Sequence, residues 1–213
     1  MSRRARQRGF TLLEVLLATT LLAAGLALAF ATLRTAAATT ERGEAMSARN
    51  ERIRAVSGFL QRRIGGAQGL VFELDPATGA SKRFEGDART LRFVADLPDY
   101  LGRGGPHVHV LQVVGGARAG LDLQVAFHMV QAGEMLPAAR PPEPLATGLR
   151  KVAIAYRKLE PNGELGDWQP RWELPETMPL QVRVQVEDAR GPWPDIVVAL
   201  PMAAHFSLAG AAP

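Results

Sequence analysis

The sequence predicts an α+β protein: a long N-terminal helix, hydrophobic then amphipathic, packed on a mainly antiparallel β head. Three observations carry this. Residues 10–33 form a nearly unbroken apolar run. No proline occurs before Pro76 in a chain that has 15, and proline inside a helix costs about 3 kcal/mol. After Gly66 the apolar period changes from helical spacing to short alternating runs punctuated by glycine and proline.

The first nine residues contain Arg3, Arg4, Arg6 and Arg8 and no acid. They hold four of the 25 basic residues, and the remainder equals the 21 acidic ones. The basic pI therefore belongs to this short leader. No basic stripe is left to neutralise phosphates, so nucleic acid is not an expected partner. Cysteine is absent, which excludes disulfides, thiol catalysis and cysteine metal sites.

Phe10–Leu33 is apolar, small or hydroxylated at every position except Glu14. As a helix it spans roughly 36 Å, enough to cross a bilayer core. The preceding arginines place the N-terminus in the cytoplasm and the remainder outside. A secretory signal has a shorter apolar core followed by a small-residue cleavage site, and no such site ends this run. A carboxylate at the centre of a membrane helix costs about 2.5–3.5 kcal/mol, and ionisable residues there are usually functional. Glu14 is near the end of the span, where the cost is lower, and it still requires a partner. Cleavage between Gly9 and Phe10 would create an α-ammonium four residues upstream. A neighbouring copy would offer the same group at nearly the same depth. A negative charge also suits the helix N-terminus.

Beyond the apolar run, Met46, Ile53, Val56, Leu60, Ile64 and Ala67 recur at helical steps, with most arginines off the stripe. Arg62 and Arg63 suit a last turn, and Gly65-Gly66 a stop. Gly25 and Gly43 are permissive points for a bend. Strands are expected at 70–74, 90–97, 108–114, 121–130, 151–159, 180–187 and 196–200, with a loop at 133–144, which holds four prolines. The expected organisation is a leader at 1–9, a transmembrane helix at 10–33, its amphipathic extension at 34–66, a β-rich head at 67–206 and a mobile tail at 207–213.

Arg8-Gly9-Phe10-Thr11-Leu12-Leu13-Glu14-Val15 resembles the prepilin processing motif of the type IV pilin-like superfamily. The resemblance implies cleavage after Gly9 by a prepilin peptidase, N-methylation of Phe10, and a role in assembly for Glu14. The layout as a whole resembles the pseudopilins of type II secretion. Length points to the J-type minor subunit: major and I-type subunits are usually shorter, and K-type subunits are longer and typically lack the glutamate. Trp172-Glu173-Leu174-Pro175, with the strands and Gly-Pro-Trp-Pro turn that follow, is similar to the end of J-type heads. The family implies an inner-membrane, single-pass protein with a periplasmic head. It also implies I-type and K-type partners at a pseudopilus tip that initiates assembly, and no catalysis or cofactor. The alternative within the superfamily is a minor pilin of a type IV pilus. Such pilins often carry a C-terminal cysteine pair, absent here.

His107 and His109 share a strand face and could begin a zinc site, with Asp96, Asp99, His128 or Glu134 as candidate third ligands. That is the reading from another class: a membrane-tethered metal-dependent enzyme. Two histidines packed on a sheet are the plainer reading. Asp96 and Asp99 around Pro98 read as a turn rather than a calcium loop, which needs six to eight oxygens. No nucleophile, phosphate-loop or dinucleotide motif is present. Trp168, Trp172 and Trp193 suit either interfaces or packing. Mass spectrometry of the membrane form should find a chain beginning at Phe10, N-methylated. An intact leader in a host with active prepilin peptidase would refute the processing assignment.

Overall fold

The computed structural model describes residues 11–101, 105–116 and 120–200, with Asp99 described by its backbone alone. The chain divides into two compact units, residues 1–52 and 53–213. One helix, α1 (Leu12–Gly65), runs from the first into the second. It passes through Gly25 and Gly43 without a break, since single glycines lower helix stability without ending a helix. It ends where the sequence puts the paired glycines. The Gly66 amide donates to Arg62 O (3.1 Å) and the Ala67 amide to Ile64 O (3.0 Å), closing the last carbonyls.

In the second unit the head is built from β1 (Glu73–Leu74), β2 (Ser81–Lys82), β3 (Phe84–Gly86), β4 (Thr90–Asp96), β5 (Pro106–Gly115) and β6 (Leu121–Gln131). These are followed by β7 (Glu134–Met135), β8 (Glu143–Leu149), β9 (Lys151–Arg157), β10 (Gln181–Asp188), β11 (Gly191–Pro192) and β12 (Ile196–Ala199). Strands β3-β4-β5-β6 form one antiparallel sheet, with β7 and β8 both paired to β6. Strand β10 is the centre of a second sheet, flanked by β9 and β12 and capped by the β11 hairpin. Strands β1 and β2 pair separately.

Six of the seven expected strands appear within a residue or two at each end, and the seventh differs more. Only Glu73–Leu74 of 70–74 pairs as a strand, because this segment serves as a cover. Phe72 inserts into a core beneath it with Val94, Val108, Val110 and Ala126. The expected loop at 133–144 contains β7 and the start of β8. Ala132 (φ 53°) and Gly133 (φ 82°) form the two-residue hairpin between β6 and β7, with both centres left-handed. Strand β8 contains Pro144 and pairs irregularly with β6, and an irregular strand of this kind tolerates proline.

The main core fills the space between α1 and the two sheets. Val56, Leu60 and Ile64 are buried on the last turns of α1, against Leu91, Phe93, Leu111, Val113, Leu123 and Val125 of the first sheet and Val182, Val184, Ile196 and Val198 of the second. The alternation of β10 is as its sequence requires: Val182, Val184 and Val186 are buried, and the residues between them are partly exposed.

Tyr156 fastens the two sheets together. It rises from β9 of the second sheet, fully buried, and its hydroxyl donates to Asp87 O (2.9 Å) and Thr90 O (3.2 Å), which flank the β3–β4 turn of the first. Burial, then the Asp87 charge, pushes the phenol above its usual range, so it stays a donor. Phe84 meets Tyr156 edge-on at 5.8 Å and Trp172 edge-on at 6.4 Å. Gly86 makes this possible: a Cβ there would lie 2.2 Å from the Tyr156 hydroxyl.

His109 also belongs to the core. It is fully buried on β5, stacked on Phe93 at 5.3 Å and edge-on to Phe127 at 4.9 Å. Its Nδ1 lies 3.0 Å from His107 O, and its Nε2 has no partner among the described residues.

Two measurements on the protein from Arg34 onward, freed of the apolar run, test this core. Gly86→Ala should lower unfolding free energy in urea by about 2–4 kcal/mol, through overpacking and disturbance of the buried hydroxyl. A neutral Gly86→Ala would show that Tyr156 does not fasten the sheets. Burial, chiefly, lowers the pKa of His109 to about 4 from an ordinary value near 6.5. The folded state therefore holds the neutral ring. Its contribution is complete above pH 6.5 and is lost as pH falls towards 4, on the order of 3 kcal/mol. His109→Phe should flatten that acid loss in thermal melts. Parallel acid limbs for both proteins would contradict it.

Candidate functional site

The first unit contains the chemistry the sequence singled out. Among the described residues α1 is the one helix long and apolar enough to cross a membrane. Residues 11–37 are exposed around its whole circumference. Leu12, Leu22 and Phe30 are 81%, 64% and 68% accessible. A helix apolar on all sides with no protein over it requires lipid or other helices. Its hydroxyls do not oppose this. Thr19 donates to Leu16 O, Thr20 to Leu17 O, Thr32 to Ala29 O and Thr35 to Ala31 O, at 2.9–3.0 Å. Each polar hydrogen is thus satisfied within the helix, as a hydrocarbon environment demands. The chain has a single-pass membrane anchor.

Thr11 caps this helix. The Glu14 amide donates to Thr11 O (3.1 Å) and Oγ1 (3.3 Å), and the Val15 amide donates to Thr11 O (3.2 Å). Thr11-Leu12-Leu13-Glu14 has the spacing of a capping box, a signal legible in the sequence. The cap puts Glu14 in the first turn, where the helix dipole favours a negative charge. Its carboxylate makes no ion pair among the described residues. It is the one charged side chain between Thr11 and Leu33. Gly9 and Phe10 lie outside the described residues, as does the proposed tail at 207–213.

The metal reading finds no geometry. His107 and His109 share a face of β5, as alternation requires, but His109 is walled in by Phe93 and Phe127. His107 Nδ1 is 2.9 Å from Gly105 O. His128, on the opposite face of β6, has its Nδ1 2.9 Å from Leu136 O. Asp96 instead accepts from Gln68 Nε2 (3.0 Å), and its carbonyl from Arg63 Nη1 (3.0 Å). Glu134 is exposed on β7, and Asp99 opens a single 3-10 turn. No group of three or more His, Asp or Glu is placed to hold an ion among the described residues. Trp172 and Trp193 are packing residues. The Trp172 ring N–H donates to Leu174 O (2.7 Å) and Thr177 O (3.0 Å), and that of Trp193 to Asp188 Oδ2 (2.8 Å). A cleft of about 490 Å³ beside Gly86 contains Lys82, Glu85 and Arg92. These side chains are paired with one another, Arg92 to Glu85 at 3.0 Å and Lys82 to Glu85 at 3.5 Å, and form no acid-base or nucleophile pair.

Comparison with known proteins agrees with this picture. Residues 4–30 match the family model of the prokaryotic N-terminal methylation motif. The chain is 46% identical over 201 residues to type II secretion system protein J of Xanthomonas campestris pv. campestris, covering 93% of this chain and 95% of that protein. Among solved structures, a chain of the GspK-GspI-GspJ complex from the enterotoxigenic Escherichia coli type 2 secretion system superposes with a TM-score of 0.49 at 13% identity, covering 70% of this chain and 96% of that one. Identity at this level over nearly the full length of both proteins leaves one conclusion: the chain belongs to the type II secretion system protein J family, the J-type pseudopilins.

Proposed function

We propose that the chain is a minor subunit of the pseudopilus tip, that it acts by assembly, and that Glu14 is the residue through which its membrane helix docks. One observation carries the reading. Residues 11–33 of the helix, apolar on every side, hold a single carboxylate, and no cation is paired with it among the described residues. A lone lipid-facing helix offers such a charge only its own dipole, whereas a helix that joins others gains a specific partner.

In this reading residues 1–9 are removed, and Phe10 becomes a methylated N-terminus. Residues 10–33 serve first as anchor and then as docking element, 34–66 extend the helix, 67–206 form the head and 207–213 trail from it. The basic leader faces the cytoplasm and the head the periplasm, since arginines resist translocation. I-type and K-type pseudopilins are the partners, the prepilin peptidase is the processing enzyme, and the inner membrane is the site of assembly. The naming of the 46% identical relative for secretion supports this over a type IV pilus.

Glu14→Ala separates docking from anchoring. Removing one member of a fully buried ion pair costs roughly 3–5 kcal/mol, and less near a membrane boundary. Insertion should be unchanged or improved, and cleavage after Gly9 should survive. Crosslinking to partner pseudopilins and secretion should both fall. Undiminished crosslinking and secretion in the same strain would remove Glu14 from the mechanism.

A further inference from the structure

The outer face of the second sheet contains two arginines that no carboxylate neutralises among the described residues. Arg157 on β9 and Arg183 on β10 point to the same side as Ala155 and Gln181, their partners across the ladder. The two are diagonal neighbours, within reach of each other. Trp168, from the segment joining β9 to β10, lies against both. Each guanidinium carbon is 4.5 Å from the centroid of its ring. The ring quadrupole attracts each cation, but it does not remove the repulsion between two cations held at one ring.

Their hydrogen bonding is equally unfilled. Arg157 donates its Nε–H to Gln181 Oε1 (2.7 Å). The Arg183 side chain makes no hydrogen bond among the described residues, and its Nε is buried without a partner. A guanidinium has five N–H donors in a fixed fork suited to a carboxylate. Neither arginine forms an ion pair with a carboxylate among the described residues. Asp167 adjoins Trp168 and shares a cleft with Arg157, yet no ion pair joins them. The segments outside the described residues, 1–10, 102–104, 117–119 and 201–213, contain no aspartate or glutamate.

We propose that the Arg157–Trp168–Arg183 face is a docking surface for an acidic segment of another protein of the assembly, whose carboxylates fill the free guanidinium donors. The proposal rests on the assembly reading above. Stacking on Trp168 holds the two forks in place, so little side-chain entropy remains to be lost on binding. The neighbours on this face, Ala153 and Ala155 on β9 and Ala199 on β12, have small side chains. Opposite charges steer the encounter and fix its register.

The test uses the full chain in its own cells, with a photocrosslinking residue at Val197. That position is exposed and lies directly across from Arg183. A second probe at Leu22 reports docking of the membrane helix. The expected result is a Val197 adduct whose attachment peptide contains aspartate or glutamate. Its yield should fall about tenfold in the double variant Arg157→Gln, Arg183→Gln, while the Leu22 adducts persist. Should that variant not accumulate, a charge swap decides instead: Arg183→Glu should lose the adduct, and changing the mapped acid to arginine should restore it. An adduct of equal yield in the glutamine variant, an attachment peptide without acid, or a swap without restoration would overturn the proposal. So would no Val197 adduct beside intact Leu22 adducts, which would leave the assembly reading standing. Loss of both adducts in the wild type would overturn the two together.

Discussion

One helix in this protein has to satisfy two solvents, and the rest of the structure follows from that constraint. Over its first turns α1 offers leucine, alanine and phenylalanine in every direction and meets no protein. Over its last turns Val56, Leu60 and Ile64 are 5%, 0% and 0% accessible. Each such side chain contributes roughly 1.5–3 kcal/mol on burial. Those three therefore tie the helix to the head firmly, within a stability that is typically only 5–15 kcal/mol. No proline interrupts the helix, and its threonines return their hydroxyls to its own carbonyls.

The head has its own constraint, which is to keep two sheets facing each other with the helix between them. Apolar packing does most of this, but packing alone is non-directional. Direction comes from the Tyr156 hydroxyl, which reaches from β9 into the β3–β4 turn. It also comes from the backbone pairing of Gly86 with Trp172. Asp87 shapes that turn by accepting from the Arg89 and Thr90 amides at 2.7 and 2.8 Å. The contact therefore unites a turn carboxylate and an adjacent glycine without a side chain to obstruct with a buried phenol from a distant stretch of sequence. It fixes the face of β9–β10 on which Arg157 and Arg183 stand.

Much of this was legible in the sequence because periodicity and composition are local signals. The long helix, its stop at Gly65-Gly66 and the alternation of β10 follow from spacing alone. Glu14 stood out because a charge in an apolar run is anomalous. Other features depend on partners far along the chain, and local patterns do not reveal them. Strand β3 is too short to alternate visibly. Strand β8 carries a proline that reads as a loop unless the irregular pairing with β6 is known. Phe72 reads as part of a strand, whereas its role is to cover a second core. His109 reads as a potential ligand, and only the pairing that brings Phe93 and Phe127 to its two sides makes it a core residue. The convergence of Arg157 and Arg183 on Trp168 is of the same kind, since the tryptophan belongs to a segment with no regular pattern.

The central claim is that the chain works as an assembly subunit of type II secretion, with its helix rather than a catalytic site as the working part. The most direct measurement is export of the host's own type II cargo by a strain that lacks this chain. The account predicts that the cargo accumulates in the periplasm, that proteins exported by other routes are unaffected, and that the wild-type chain supplied in trans restores export. Normal export of the cargo without the chain would contradict it.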